Sequence, residues 1–362
     1  VAEDTRRAIL ESAFKPDRVP GTLQAGAVVE TRAEDVVWGG QATAPYGHFL
    51  TESVSRLWPL VAGGELEGLP VVFARPPTAQ FAREWLDAFG VPVVELPQEG
   101  AVRFTRMFVP EPAWRLGAWI APEIRDIHLH ARRGLKAPDP PHSNHSDVLW
   151  LSRSGLEPDR VAYDEALLEW LLGDRITAIS PEALTLAEQV AAIEGSRAVA
   201  GVIGSAFHSL LMANAPPDCL YLCPPWDRPA YAAQHRFLEG TATFVHALDV
   251  ATKTRRAREG LAFPAAYRIL IPETLRALDR TVLPGMLEDP RVAAFAEPAK
   301  HPQAAASAGI DAAAAQVLRD PLAIDPRIGL AEIFEAEGVE RCAEEQFAIA
   351  AALAEERGDG RS

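Results

Sequence analysis

The sequence predicts an α/β protein made of two doubly wound domains and a helical extension at the end of the chain. Three observations predict it. Strand-like and helix-like segments alternate along residues 27–135 and again, very regularly, along 147–223, as in parallel sheets covered by helices. Between the two runs lies KAPDPPHSNHSD (136–147), rich in Pro, Ser and Asn and without periodicity, which reads as a linker. Beyond residue 250 the alternation stops and helical patterns take over. The expected units are 1–140, 141–250 and 251–362. Two such domains leave a cleft between the carboxyl ends of their strands, where ligands bind.

In the first unit AVVETR (27–32) and VVW (36–38) read as extended. YGHFLTESVSRLWPL (46–60) reads as a helix. Leu50, Val54 and Leu57 line one side of it, while His48, Glu52 and Arg56 fall one turn apart as a polar stripe. Taken alone, that stripe is better explained as a solvated salt-bridge ladder. LPVVFAR (69–75) is strand-like, and TAQFAREWLDAFG (78–90) is a helix closed by Gly90. VPVVEL (91–96) and VRFTRMFVP (102–110) are strands, and PEIRDIHLHARRGL (122–135) is a helix with Pro122 in its first turn. His142 and His145 of the linker read as loop histidines, since no carboxylate or cysteine cluster accompanies them.

In the second unit DVLWLSR (147–153) is a nearly continuous apolar strand, suited to the centre of a sheet covered on both faces. Helix 163–174, strand 175–180, helix 184–196, strand 197–204, helix 205–215 and strand 219–223 follow. TKTRRARE (252–259) reads as a solvated basic face, 265–280 and 285–297 as helices around prolines, and 300–309 as a hinge. Residues 328–357 read as a tetratricopeptide-like helix pair turning at Gly338, a capping element or a docking element for a protein partner.

With 362 residues the chain is too long for one small core. An apolar share of 48% with 23% charged residues is that of a soluble globular protein. A net charge of −15 argues against non-specific nucleic-acid binding and against general attraction to anionic lipid, without forbidding a local phosphate pocket. Three cysteines, Cys219, Cys223 and Cys342, are too few for a disulfide framework, and no adjacent ligands complete a metal site. The charged beginning VAEDTRRAILESAF lacks the apolar core of a signal peptide, and no run is apolar and long enough to span a bilayer. A reducing cytoplasmic setting, or the inner face of the membrane, is expected.

Two turns carry the site chemistry. In GVIGSAFHS (201–209) a buried strand ends at Gly204 and a helix begins at Ser205. Unpaired N–H groups there suit a phosphate, with Ala206 in the first turn and His208 one turn along. The same residues suit a plain tight turn and N-cap. In LSRSG (151–155), Ser152 and Arg153 stand at a strand's carboxyl end with Arg160 beyond, and a guanidinium suits a diphosphate. A surface ion pair to Asp159 or Asp164 is the ordinary alternative. No D-x-D pair, G-x-x-x-x-G-K-[ST] loop, G-x-G-x-x-G turn or G-x-S-x-G elbow occurs.

HFLTESVSRL resembles the H-W-x-x-E-x-x-x-R-L helix of glycosyltransferase family 61, through His48, Glu52 and Arg56. LSRSGLEPDRVAYDEALLEWLL resembles that family's S-R-…-R-x-x-x-N-E segment, through Ser152, Arg153, Arg160 and Glu165. The stretch from Pro181 onward is similar to its P-E-x-L-S-x-x-E-Q and Gly-rich turn, through Glu182, Glu188, Gln189, Gly201 and Gly204. The resemblance covers roughly residues 25–225. Asp164 departs from the usual Asn, Ile203 from a His, and His208 and Ser209 from a Thr/Ser-Asn pair, in a G-S-A-x-H-S turn resembling bacterial members.

The resemblance implies a GT-B architecture of two Rossmann-like domains facing across a cleft. It also implies an inverting transferase that needs no metal or other cofactor. A nucleotide-sugar would be the donor and a saccharide the acceptor, with surface or capsular polysaccharide as the context. His48, Glu52 and Arg56 are then the expected catalytic group. Ser152, Arg153, Arg160, Glu165, Glu182, Glu188, Gln189, Gly204, Ser205, Ala206 and His208 are the expected donor-binding set. An inactive nucleotide-binding scaffold, or another sugar-nucleotide enzyme such as an epimerase or hydrolase, stays open beside it.

Overall fold

The structure, a computed structural model, describes residues 28–42, 45–74, 77–97, 101–115, 118–136, 146–156, 162–224, 229–252, 266–297, 309–320 and 322–357. It is a mixed α/β protein with two parallel sheets. The first sheet begins with β1 (Val28–Gly40), which joins the two extended pieces read separately in the sequence. With β2 (Val71–Phe73), β3 (Val93–Val94) and β4 (Ala101–Phe108) it forms a four-stranded sheet in the order β3-β2-β1-β4, every pair parallel. A short hairpin of β5 (Trp114–Arg115) and β6 (Trp119–Ile120) follows.

Three helices belong to this unit. The first, α1, starts as the α-turn Tyr46–His48 and continues as the π-turn Phe49–Ser53. Helix α2 (Gln80–Phe89) ends at Gly90, whose φ of 76° is the left-handed geometry that glycine adopts at low cost. Helix α3 (Glu123–Gly134) packs beside it, and a Cβ at Gly134 would overlap the Ala88 carbonyl at 1.9 Å.

The second sheet contains β7 (Val148–Leu151), β9 (Thr177–Ile179), β10 (Ala198–Val202), β11 (Asp218–Cys223) and β12 (Ala242–His246), ordered β12-β11-β10-β7-β9 and parallel throughout. A further, small sheet ordered β13-β14-β8 joins β8 (Ala162–Tyr163) to β13 (Leu248–Thr252) and β14 (Ala266–Ile269). The central strands are apolar on both faces because both faces are covered. Leu149, Val199 and Tyr221 face a core continuous with Phe49, Trp85 and Ile124 of the first unit. Trp150, Ala200 and Leu222 face a second core closed by the C-terminal helices. At Gly201 a Cβ would sit 2.9 Å from Leu151 O, so glycine lets β10 approach β7.

Helices α4 (Glu165–Leu172), α5 (Leu186–Glu194) and α6 (Pro229–Gln234) belong to the second unit. Residues expected as a helix over 205–215 form instead a 3₁₀ segment, Ser205–Leu211. The stretch 265–280, expected to be wholly helical, starts as β14 and turns helical only at α7 (Ile271–Thr281), where Pro272 fixes the first turn. Helices α8 (Pro290–Ala296), α9 (Ile310–Arg319), α10 (Ile324–Ala336) and α11 (Glu340–Arg357) complete the chain. The expected helix pair is α10 and α11, with Gly338 in the turn at φ 72°. Most of the linker, with His142 and His145, and most of the basic run 252–259 lie outside the described residues. No helix among the described residues is long and apolar enough to cross a membrane.

Candidate active site

The parallel register that sets Gly201 opposite Leu151 brings the two predicted turns to one end of the second sheet. Arg153 leaves β7 there and Gly204 leaves β10. Arg153 Nη1 lies 3.3 Å from the point a Cβ on Gly204 would occupy, so the missing side chain admits the guanidinium. The N–H of Arg153 is held by Glu165 Oε2 at 3.0 Å, while Glu165 Oε1 accepts from Trp150 Nε1 at 3.0 Å. Glu165 is fully buried, and that burial, reinforced by Glu169, pushes its carboxyl up to about 8. It is a strut under the turn rather than a ligand.

Ser152 is also drawn away from the donor role expected of it. Its hydroxyl bonds Ser154 Oγ at 2.8 Å and receives Arg341 Nη2 of α11 at 2.7 Å. Arg341 pairs in addition with Glu169 at 2.8 Å. Glu182 stands by the same turn, its Oε1 3.4 Å from the Cβ position of Gly155. Glu188 closes the capping box of α5 with Thr185. Gln189 donates to Pro181 O and Leu184 O and accepts from Tyr46 Oη at 3.1 Å, which commits its whole amide to structure. Arg160 lies outside the described residues.

The first unit reaches this end through α1. His48 Nδ1 and Glu52 Oε2 are 2.9 Å apart, so the carboxylate, which only accepts, makes Nδ1 the protonated nitrogen of the neutral ring. The third member of the expected stripe does not join. The π-turn widens the helix and ends it at Ser53, so Arg56 leaves the phase of His48 and Glu52. Its guanidinium is bound instead by Pro110 O, beside Gly40, and burial lowers it to about 10. Arg56 therefore braces the loop after β4 and makes no ion pair with Glu52.

A residue not singled out in the sequence fixes the π-turn. The N–H groups of Val54 and Ser55 bond Phe49 O and Glu52 O, bypassing Leu50 O. His128 of α3 donates its Nε2–H to that carbonyl at 2.8 Å and accepts Trp85 Nε1–H on Nδ1 at 3.2 Å. Complete burial keeps this imidazole neutral, lowered to about 3. His128 falls within the helix expected over 122–135, but nothing local marked its partner.

The two units meet directly at α1. A Cβ on Gly47 would fall 2.9 Å from Ser205 Cβ and 3.2 Å from His208 Cδ2, so only glycine lets the chain pass there. Tyr46 Oη bonds Ser209 Oγ at 2.7 Å. Arg125 of α3 donates to Ala213 O at 2.6 Å and to Leu211 O, satisfying carbonyls at the end of the 3₁₀ segment. Arg132 pairs with Glu194 at 2.6 Å, and Glu84 Oε2 accepts from Leu186 N at 2.9 Å. Ser205 is the first residue of its segment, not its cap; Gly204 holds that position. Ser205 and Ala206 are both partly exposed, and His208 is buried. Among the described residues no group of three or more His, Cys, Asp or Glu is placed to hold a metal ion.

No curated protein matches the chain. The sequence model of the family described as Glycosyltransferase 61 matches residues 46–222. That span starts at Tyr46 of α1 and ends within β11, so it contains the His48–Glu52 pair, the Ser152–Arg153 turn and the Gly204–His208 segment. Through residues 46–222 the chain belongs to glycosyltransferase family 61.

Proposed function

We propose that the protein transfers a sugar from a nucleotide-sugar to a hydroxyl of a saccharide acceptor, with inversion at the anomeric carbon and without a metal ion. Surface or capsular polysaccharide synthesis in the cytoplasm, at or near the inner membrane face, is the proposed setting. One observation carries the reading: the His48–Glu52 pair stands where α1 abuts the Gly204–His208 segment, next to the Arg153 turn.

In this reading Glu52 orients His48 and stabilises the imidazolium, and His48 Nε2 takes the proton of the acceptor hydroxyl. The acceptor oxygen forms the new bond to the anomeric carbon as the bond to the nucleoside diphosphate breaks. Arg153, fixed over Gly204 by Glu165, carries the charge of the leaving diphosphate. Arg160 would add a second cation. The 3₁₀ segment is short, and its few aligned peptides supply less positive potential than the helix expected from the sequence. More of the task therefore falls on Arg153. The proposed domains follow the sequence boundaries, with an acceptor side in 1–140 and a donor side in 141–250 facing across a GT-B cleft.

Donor hydrolysis and transfer by His48→Ala, Glu52→Ala and Arg153→Ala test it, with folding checked by circular dichroism. Removal of the base is expected to slow transfer ~10²–10⁴-fold. Wild-type rates in all three variants would refute the assignment, and a strict requirement for Mg²⁺ or Mn²⁺ would refute the metal-free mechanism.

A further inference from the structure

The surroundings of His208 decide which of its nitrogens carries the proton. Phe207 O only accepts, so it is the Gln234 Nε2 amino group that faces it, at 3.1 Å. That turns Gln234 Oε1 toward His208 Nδ1 at 2.8 Å. An amide oxygen also only accepts, so Nδ1 is protonated and Nε2 holds the lone pair. The ring is clamped in this orientation. It stacks on Tyr231 at 4.8 Å and 11°, and meets Trp114 of the β5–β6 hairpin edge-on at 5.6 Å. Burial lowers the imidazole to about 4, and His48 acts in the same direction, so the ring is neutral at physiological pH.

His208 is only 6% exposed, yet Nε2 has no hydrogen-bond partner among the described residues. It lies 3.6 Å from the point a Cβ on Gly47 would occupy, beside Ser205. Nε2 is not one of the fully enclosed atoms without a partner, so it opens onto the space at this junction. Three neighbouring side chains, Gln234, Tyr231 and Trp114, hold the ring in this orientation.

We propose that His208 Nε2 accepts a hydrogen bond from a substrate hydroxyl, at the junction of Gly47 and Ser205 beside His48. The proposal rests on the glycosyltransferase reading of this site. Lone-pair chemistry makes it selective. A neutral imidazole with its N–H turned inward attracts an O–H donor and repels phosphate and carbonyl oxygens. His208 is therefore no diphosphate ligand. The diphosphate belongs with Arg153 over Gly204, and a sugar hydroxyl belongs with His208, which orients the substrate between them. The hydroxyl can come from the donor sugar or from the acceptor.

Two measurements test this. Side-chain ¹⁵N NMR of the wild-type protein, with His208 identified by its contact to the Tyr231 ring, is expected to show the Nδ1–H form between pH 6 and pH 8. An Nε2–H form would overturn the proposal and needs no variant. The second uses His208→Phe, which keeps a stacking ring and loses the lone pair. Calorimetry would compare it with wild type for a panel of UDP-, GDP-, dTDP- and CMP-sugars, each beside its nucleotide alone. KM values for mono- and disaccharide acceptors would follow with the best donor. A donor hydroxyl predicts about tenfold weaker nucleotide-sugar binding with nucleotide binding unchanged, the loss expected for one buried hydrogen bond. An acceptor hydroxyl predicts unchanged donor binding and about a tenfold higher acceptor KM. Equal constants in both proteins overturn the proposal and leave the transferase reading standing. A wild-type protein that neither binds nor turns over any nucleotide-sugar overturns that reading, and the proposal with it.

Discussion

Glu52 and Asp164 both sit in stretches that resemble family motifs, yet the two carboxylates live in opposite surroundings. Glu52 is part-exposed on α1, with one imidazole partner. Asp164 is buried just before α4, in left-handed geometry at φ 69°, and binds Arg327 of α10 through both oxygens at 2.7 and 3.0 Å. Gln346 of α11 adds a third bond at 3.1 Å. Burial opposes ionisation of Asp164, but the Arg327 charge outweighs it and holds the carboxyl below its ordinary value. Nearby, Glu345 accepts the N–H groups of Ala166 and Leu167 at 3.0 and 3.3 Å, capping α4 from the C-terminal extension. A motif match thus mixes part-exposed groups at the junction of the two units with buried groups that hold the neighbouring loops in place.

Three substitutions sharpen that division. Arg327→Ala leaves Asp164 as a buried charge without its cation and is expected to cost ~3–5 kcal/mol. Denaturant unfolding measures it, and a loss below ~1 kcal/mol would place the Asp164 cluster among the ordinary surface pairs. Glu165→Gln tests the strut under Arg153 through its pH dependence. The Glu165 carboxyl rises on folding from 4.5 to about 8, so the folded chain holds a proton that the unfolded chain has released. Its contribution is full below pH 4.5 and is lost as pH climbs through about 8. The stability of wild type relative to Glu165→Gln is therefore expected to fall across that window; a flat difference would mean the carboxyl is ionised in the fold. The smallest effect belongs to Ser152→Ala. It removes the bonds of the Ser152 hydroxyl to Ser154 and to the Arg341 guanidinium and is expected to cost ~1–2 kcal/mol by thermal or denaturant unfolding.

The alternation along 147–223 was legible because strands covered on both faces are apolar throughout, as Leu149 and Trp150 are in the two separate cores. The His48–Glu52 pair was legible because contacts four residues apart are local. Arg56 was misplaced because a π-turn depends on a tertiary donor: His128, 78 residues from Leu50, takes the carbonyl the helix gives up. The Asp164–Arg327 pair spans 163 residues and leaves no periodic trace. β12 was overlooked because at the sheet edge it is only partly buried, and its apolar pattern is correspondingly thin. The tautomer of His208 needed Gln234, which neither spacing nor motif connects to it.

The C-terminal grip on α4 also bears on how this catalytic region can be inherited or transplanted. The family-matched segment ends at residue 222, but the side chains that neutralise Asp164, cap α4 and hold Ser152 come from 327, 341, 345 and 346. A segment exchanged between relatives at the edges of the match would arrive with the turns at Ser152 and Asp164 unsupported. The unit that can move intact is longer than the unit that is recognised, and its far boundary is set by Gln346 of α11 rather than by a motif.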